Sequence, residues 1–248
     1  MHALNWIPQE TLYTPPAGLR RETPASTPFV PKLVFKPSRG QDTLKMAVFG
    51  GVHGDEHAGI DACYELMRWA WNDPQELQDY ELHVYPICNP SGREQLTRHS
   101  LSGVDLNREF WSGSQQPEVQ YLEKELRREQ YHGIISLHSD DESHGLYGFV
   151  SGALLSEHVL APALRAASAV LPMNNDATID GFSASMGLIK EGYKGILSAP
   201  PEQSPKPLEI VFETPGQAPM EKQIAASVLA VKAILAEYRE LISYAADL

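Results

Sequence analysis

One stretch of the chain crowds metal-binding residue types behind glycines: Gly50-Gly51-Val52-His53-Gly54-Asp55-Glu56-His57. Imidazole and carboxylate are both good zinc ligands, and a catalytic zinc takes three protein ligands and keeps a further position open. Taken alone, His53 and Glu56 fit a polar surface turn equally well. A third ligand from a distant strand end would complete the set, and His138, in the run Ser136-Leu137-His138-Ser139-Asp140-Asp141-Glu142, is placed to supply it. The same stretch also spells H-x-x-E-H through His57, a pattern in which two histidines on one helical face hold zinc and the glutamate is the base. That reading needs a helix through His53, whereas the glycines on either side favour a loop. His57 is then expected beside the ligands or in the first turn of the helix that follows.

The elements that must position these residues alternate between strand and helix patterns. Residues 45–50 (KMAVFG), 82–87 (LHVYPI), 133–138 (GIISLH) and 208–213 (LEIVFE) read as strands, with a further strand at 146–150. Ile60, Cys63, Tyr64, Met67 and Ala70 recur at helical spacing. Pro117 opens another helix in a first-turn position. Residues 154–170 and about 220–244 also read as helical, the last an amphipathic helix able to pack on the domain or on a second subunit. The expectation is a three-layer α/β/α fold with a central, mostly parallel mixed sheet. Ligands bind such sheets outside the carboxyl ends of the strands. His53, Asn89, His138 and Glu213 all stand at those ends. Residues 1–40 hold seven prolines and read as an extended arm, with Trp6 and Phe29 as anchors and the catalytic domain over 41–248.

The stretch Asn89-Pro90-Ser91-Gly92, then Arg98, then Gly103-Val104-Asp105-Leu106-Asn107-Arg108-Glu109-Phe110 resembles the zinc carboxypeptidase family of the carboxypeptidase A type, a phosphorylase/hydrolase-like fold. The resemblance runs from about Lys45 to Gly216. It implies His53, Glu56 and His138 as zinc ligands and Arg98 as the oxyanion arginine, with Arg93 as a rival. It implies Asn107 and Arg108 as the pair that grasps a substrate carboxylate, and Glu213 as the base that takes a proton from water and returns it to the leaving amine. An Arg–carboxylate fork and a positioned cation at a developing oxyanion suit those tasks. The bland alternatives are an Asp105–Arg108 ion pair and an ordinary strand-end glutamate.

The sequence departs from the digestive-type pattern in two places. The mobile tyrosine of those enzymes has its best counterpart in Tyr193, between Gly192 and Gly195. An acidic run, Asp140, Asp141 and Glu142, follows His138. It could orient His138, attract a cationic substrate group, or be solvated. The short chain also resembles the succinylglutamate desuccinylase/aspartoacylase branch, which shares the ligand set and the D-L-N-R string. The expected activity is therefore zinc-dependent hydrolysis of an amide next to a free carboxylate, first as a metallocarboxypeptidase on small or modified peptides. An N-acyl amino acid deacylase is the alternative, and a catalytically inactive zinc-binding module the second.

Composition sets the outer limits. Lys and Arg number 20 against 32 Asp and Glu, a net charge of −12, which argues against nucleic-acid or anionic-membrane partners. Cys63 and Cys88 lie in apolar stretches and suggest a reducing compartment. No early basic-then-apolar segment and no apolar run of spanning length is present, so a cytoplasmic protein is expected. Oligomeric state is not legible.

Overall fold

The fold is described from a computed structural model of the 248-residue chain, which describes residues 30–36, 43–151 and 153–246. Trp6 and Phe29 lie outside the described residues. Of the proline-rich stretch 1–40, residues 30–36 are described and contain a short strand, β1 (Leu33–Phe35).

Among the described residues, nine strands form one sheet in the order β1-β3-β2-β4-β9-β5-β8-β7-β6. Its centre is built from β2 (Leu44–Phe49), β3 (Tyr80–Tyr85), β4 (Gly133–Asp140) and β9 (Leu208–Pro215), all mutually parallel. β1 is antiparallel to β3 at one edge. On the other side β5 (Tyr147–Val150) is antiparallel to β9, and β8 (Leu188–Ile189) is parallel to β5. Short antiparallel pairings carry the sheet on through β7 (Phe182–Ser185) to β6 (Thr178–Ile179).

Strand side chains alternate between two packed cores, as a period of two requires. Met46, Val48, Ile135, Leu137, Ile210 and Phe212 face a core closed by helices α1 (His57–Asn72), α5 (Ala161–Ala167) and α6 (Met220–Ala246). Ala47, Phe49 and Ile134 face the opposite core, closed by Val119, Leu122 and Leu126 of α3 (Pro117–Glu129). Both faces are thus covered, the usual state of a parallel sheet. The closing helix α6 packs on α1 and α5, so its apolar side is used inside the domain. Among the described residues no helix is long and apolar enough to cross a membrane.

Two element boundaries differ from the sequence reading. β3 runs over Tyr80–Tyr85 rather than 82–87, because Pro86 has no N–H with which to continue the ladder. The helix expected over 154–170 is instead a short turn, α4 (Ala153–Leu155), a π-helical turn (Ser156–Leu160) and α5. Pro162 lies in the first turn of α5; it cannot donate to the turn before it, and the helix re-registers there. The helix α2 (Pro90–Gln95) follows β3 directly.

Candidate active site

The strand ends are stitched together by backbone bonds. Gly50 N donates to Tyr85 O at 2.9 Å, and Asn89 N donates to Gly51 O at 2.8 Å. Gly51 has φ of +60°, a left-handed turn that glycine takes without strain. A Cβ on Gly54 would run into the Gly92–Arg93 backbone, so this glycine lets the His53 loop lie directly on α2. Asn89, fully buried, caps α2: its Oδ1 accepts from Gly92 N at 2.8 Å, and its Nδ2 donates to Arg98 O at 3.3 Å. The N-P-S-G string thus couples the metal-type loop to the segment carrying Arg98.

Glu56 stands at the N-cap position of α1 but makes no capping bond. Its carboxylate turns instead to the histidines. His53 Nδ1 lies 2.6 Å from Glu56 Oε1, His138 Nδ1 lies 2.9 Å from Glu56 Oε2, and the two Nδ1 atoms are 3.2 Å apart. All three side chains are buried. A local rule is broken here because the carboxylate has another task.

The outward nitrogens of both rings are held as well. His53 Nε2 lies 3.2 Å from Asp105 Oδ1, and His138 Nε2 lies 2.8 Å from Ser136 Oγ. These contacts leave Nδ1 of each ring as the inward donor atom. Zinc–nitrogen bonds of about 2.05 Å at a tetrahedral angle separate two imidazole nitrogens by about 3.3 Å, close to the separation found. With the ligand atoms of His53, Glu56 and His138 all within 4.8 Å of one another, the set fits a three-ligand metal centre open on one side. His57, the first residue of α1, is not in that group, and His53 lies in a loop, so the one-helix H-x-x-E-H arrangement is not formed.

The electrostatics follow from this packing. Burial works against the charge of Glu56, but His138 and His53 outweigh it and hold its pKa down at about 2. Burial would lower His53, yet Glu56 and Asp105 outweigh it and raise its pKa. For His138 burial wins and the pKa falls. Asp105 is likewise opposed by burial, and His53 and Arg98 keep it well below the usual carboxylate range.

His138 and Glu213 are register partners on adjacent parallel strands. Glu213 shares strand parity with Val211, opposite to the core residues Ile210 and Phe212, so it opens on the same side as His138. Its pKa is pushed well above the ordinary range, first by burial and then by the charges of Glu56, Asp140 and Asp180. A cavity of about 650 Å³ joins Glu213, His53, Glu56, Arg98, Asn107, Arg108 and Tyr193. Arg98 donates to Asp105 Oδ2 through Nε and Nη2 at 3.3 and 3.2 Å and approaches Glu56 at 3.5 Å. Asn107 Oδ1 accepts from Leu197 N at 2.8 Å. Arg108 donates to the Asn107 carbonyl at 2.7 Å, with its guanidinium carbon 4.4 Å from the centre of the Tyr193 ring.

The geometry also decides between the alternatives left open by the sequence. Asp105 pairs with Arg98 and His53, not with Arg108. Arg93 does not line the cavity. Asp140 accepts from Tyr147 Oη at 2.9 Å and from Glu142 N at 2.8 Å; the ring of His138 is oriented by Ser136 and Glu56, not by the acidic run. The sequence reading missed Ser136, although strand parity puts it on the face of His138. It also missed the Asp180-Gly181 turn between β6 and β7, where both residues have positive φ. An Asp-Gly pair between alternating runs is a hairpin signal. A second group, Glu81, His83 and Glu129, also gathers ligand atoms. There Lys36 already pairs with Glu81, and Lys32, Lys45 and Arg128 with Glu129.

Comparison with known proteins bears on the fold and the family. A curated carboxypeptidase, SOL1 of Arabidopsis thaliana, is 32% identical over 68 residues, 25% of this chain and 14% of that protein's length. A solved candidate metallopeptidase from Shewanella denitrificans superposes with a TM-score of 0.70 at 20% identity, covering 84% of this chain and 78% of that one. A metallo-carboxypeptidase from Pseudomonas aeruginosa, solved with (2-guanidinoethylmercapto)succinic acid, gives 0.63 at 19% identity over 86% and 61% of the two chains. The sequence profile of the succinylglutamate desuccinylase/aspartoacylase catalytic domain matches residues 42–190, more than half of the chain. The chain belongs to the succinylglutamate desuccinylase/aspartoacylase family of zinc carboxypeptidase-type hydrolases.

Proposed function

We propose that this chain is a zinc-dependent hydrolase of an amide bond next to a free carboxylate, acting as a carboxypeptidase on small or modified peptides. The observation that carries the reading is the buried His53–Glu56–His138 set opening, through His53 and Glu56, on a cavity that Glu213, Arg98 and Arg108 also line. His53, Glu56 and His138 would hold the metal. Bound there, zinc supplies a Lewis acid that lowers the pKa of water and polarises a carbonyl oxygen.

The chain's own residues supply the rest. Glu213, a half-buried carboxyl beside His138, takes the proton of the attacking water and passes it to the leaving amine. Its raised pKa makes it a stronger base than an exposed carboxylate. Arg98 aims a guanidinium into the cavity for the oxyanion of the tetrahedral state, and Asp105 fixes its direction. The amide nitrogen of Asn107 and the fork of Arg108 receive the carboxylate of the amine-side product. Arg108 is preset for that role by its stack on Tyr193, and Tyr193 is set over the cavity by donating to the Asp180 carbonyl at 2.9 Å.

The second reading, an N-acyl amino acid deacylase, is favoured by the family profile, because the same machinery serves both amides. Zinc-loaded protein, with Glu213→Gln as the blank, is assayed for release of free amino acid from short peptides and from N-acetyl and N-succinyl amino acids. Preferential peptide cleavage supports the first reading. Preferential deacylation replaces it with the second. Zinc binding without turnover on either panel contradicts both and favours a binding module.

A further inference from the structure

The charge on the cavity wall is lopsided. Eight lining side chains are carboxylates, against two guanidinium groups and no lysine. Both arginines are already committed: Arg98 to Asp105 and Glu56, Arg108 to the Asn107 carbonyl and the Tyr193 ring. Asp180, at the tip of the β6–β7 hairpin, receives the Tyr193 hydroxyl on its backbone carbonyl, with its carboxylate beside the same hydroxyl. Neither the Asp180 nor the Glu213 carboxylate has a cationic partner within ion-pair distance among the described residues. Asp140 and Asp180 both lie near enough to Glu213 to push its pKa up. The cavity wall therefore keeps an excess of carboxylates over cations, even with a divalent metal on His53, Glu56 and His138.

The Arg108 guanidinium and the Asp180 turn both border the Tyr193 ring, the guanidinium carbon 4.4 Å from its centre and the Asp180 carbonyl 2.9 Å from its hydroxyl. Two extended residues span at most about 7 Å. A short peptide can thus reach from an anion-binding fork to an anionic hairpin tip within a cavity of about 650 Å³.

From this charge pattern and spacing we infer that the cavity selects zwitterionic dipeptide-like substrates. Their free carboxylate sits on Arg108, and their free ammonium, on the acyl side of the cleaved amide, is received by Asp180 and Asp140. This inference rests on the amide-hydrolase reading and narrows it. An acyl group that ends in a carboxylate, such as succinyl, would bring a further anion against Asp140, Asp180 and Glu213 and is disfavoured. The ammonium also relieves the crowding of negative charge around Glu213. Selectivity in this chain then lies in the hairpin, outside the metal set it shares with its family.

The test keeps the leaving amino acid constant. Zinc-loaded wild type and Asp180→Asn are assayed on alanyl-leucine, N-acetyl-alanyl-leucine and N-succinyl-leucine. Asparagine is well suited to the first position of this hairpin turn, so the variant keeps the fold. For the wild type we expect kcat/KM to be highest on alanyl-leucine and lowest on the succinyl compound, with the preference shrinking as salt is raised. In Asp180→Asn the value for alanyl-leucine falls about fivefold while that for the acetylated peptide is unchanged. Equal rates on free and acetylated peptide, or a variant that lowers both alike, overturn the ammonium site but leave the amide-hydrolase reading intact. Fastest turnover of N-succinyl-leucine overturns it in favour of the deacylase. No turnover of any of the three contradicts the hydrolase reading beneath it.

Discussion

Asp105 carries more of the site than its place in the D-L-N-R string suggests. One oxygen meets His53 Nε2 and the Asn107 backbone N–H, and the other takes both arms of Arg98. Asp105→Asn keeps the shape but gives up the charge that fixes the ring of His53. It should weaken zinc binding about 10- to 100-fold and lower kcat as Arg98 loses its anchor, as measured by competitive chelation and steady-state kinetics. Glu213→Gln should behave oppositely. Zinc affinity stays within a few-fold and kcat drops by about 10²- to 10⁴-fold; retained turnover would remove Glu213 as the base. The types and strand-end positions of His53, Glu56, His138 and Glu213 made them legible in the sequence. The partner of Asp105 was not legible, because Arg98 and Arg108 are both close along the chain and only the loop's path chooses between them. Ser136 escaped notice because serine next to a ligand is chemically unremarked until strand parity is applied.

At the scale of elements, the active loop depends on α2 as much as on its own residues. Asn89→Ala removes the cap of α2 and the bond to the Arg98 carbonyl. We expect a loss of about 1–2 kcal/mol in stability, read by chemical denaturation, and a fall in kcat larger than any change in zinc affinity. Equal losses in both would mean that α2 supports the metal loop alone. The parallel core was readable because β2, β4 and β9 are near-continuous apolar runs between helical periodicities. The extension through β8, β7 and β6 was not, since its strands are two to four residues long and bury little. The re-registered helix before α5 follows from Pro162, a signal present in the sequence whose effect depends on the turn it interrupts.

At the scale of the whole molecule, charge is sorted rather than spread. The acidic cavity opens at the carboxyl ends of the strands. Elsewhere Glu129 is clamped by Lys32, Lys45 and Arg128. Burial opposes the charge of Glu129, but Arg128, Lys45 and Lys32 outweigh it and hold its pKa far below the usual carboxylate range. Such a group stabilises the fold fully above the usual carboxylate range, and the contribution is lost as pH falls through that range toward the folded-state value. Glu129→Gln should therefore cost about 2 kcal/mol near pH 7 and measurably less near pH 2.5, where the unfolded chain is already protonated; thermal melts at the two pH values check the sign. Zinc should raise the melting temperature of the wild type, by an amount that grows with the logarithm of free zinc over its Kd. The metal centre is tested most directly by zinc content after equilibrium dialysis of the full chain, for wild type and His138→Ala side by side, with circular dichroism to confirm that both are folded. One tightly held zinc per chain is expected in the wild type and little or none in the variant. Equal zinc in both, or none in the folded wild type, would contradict the assignment of His53, Glu56 and His138 as its ligands.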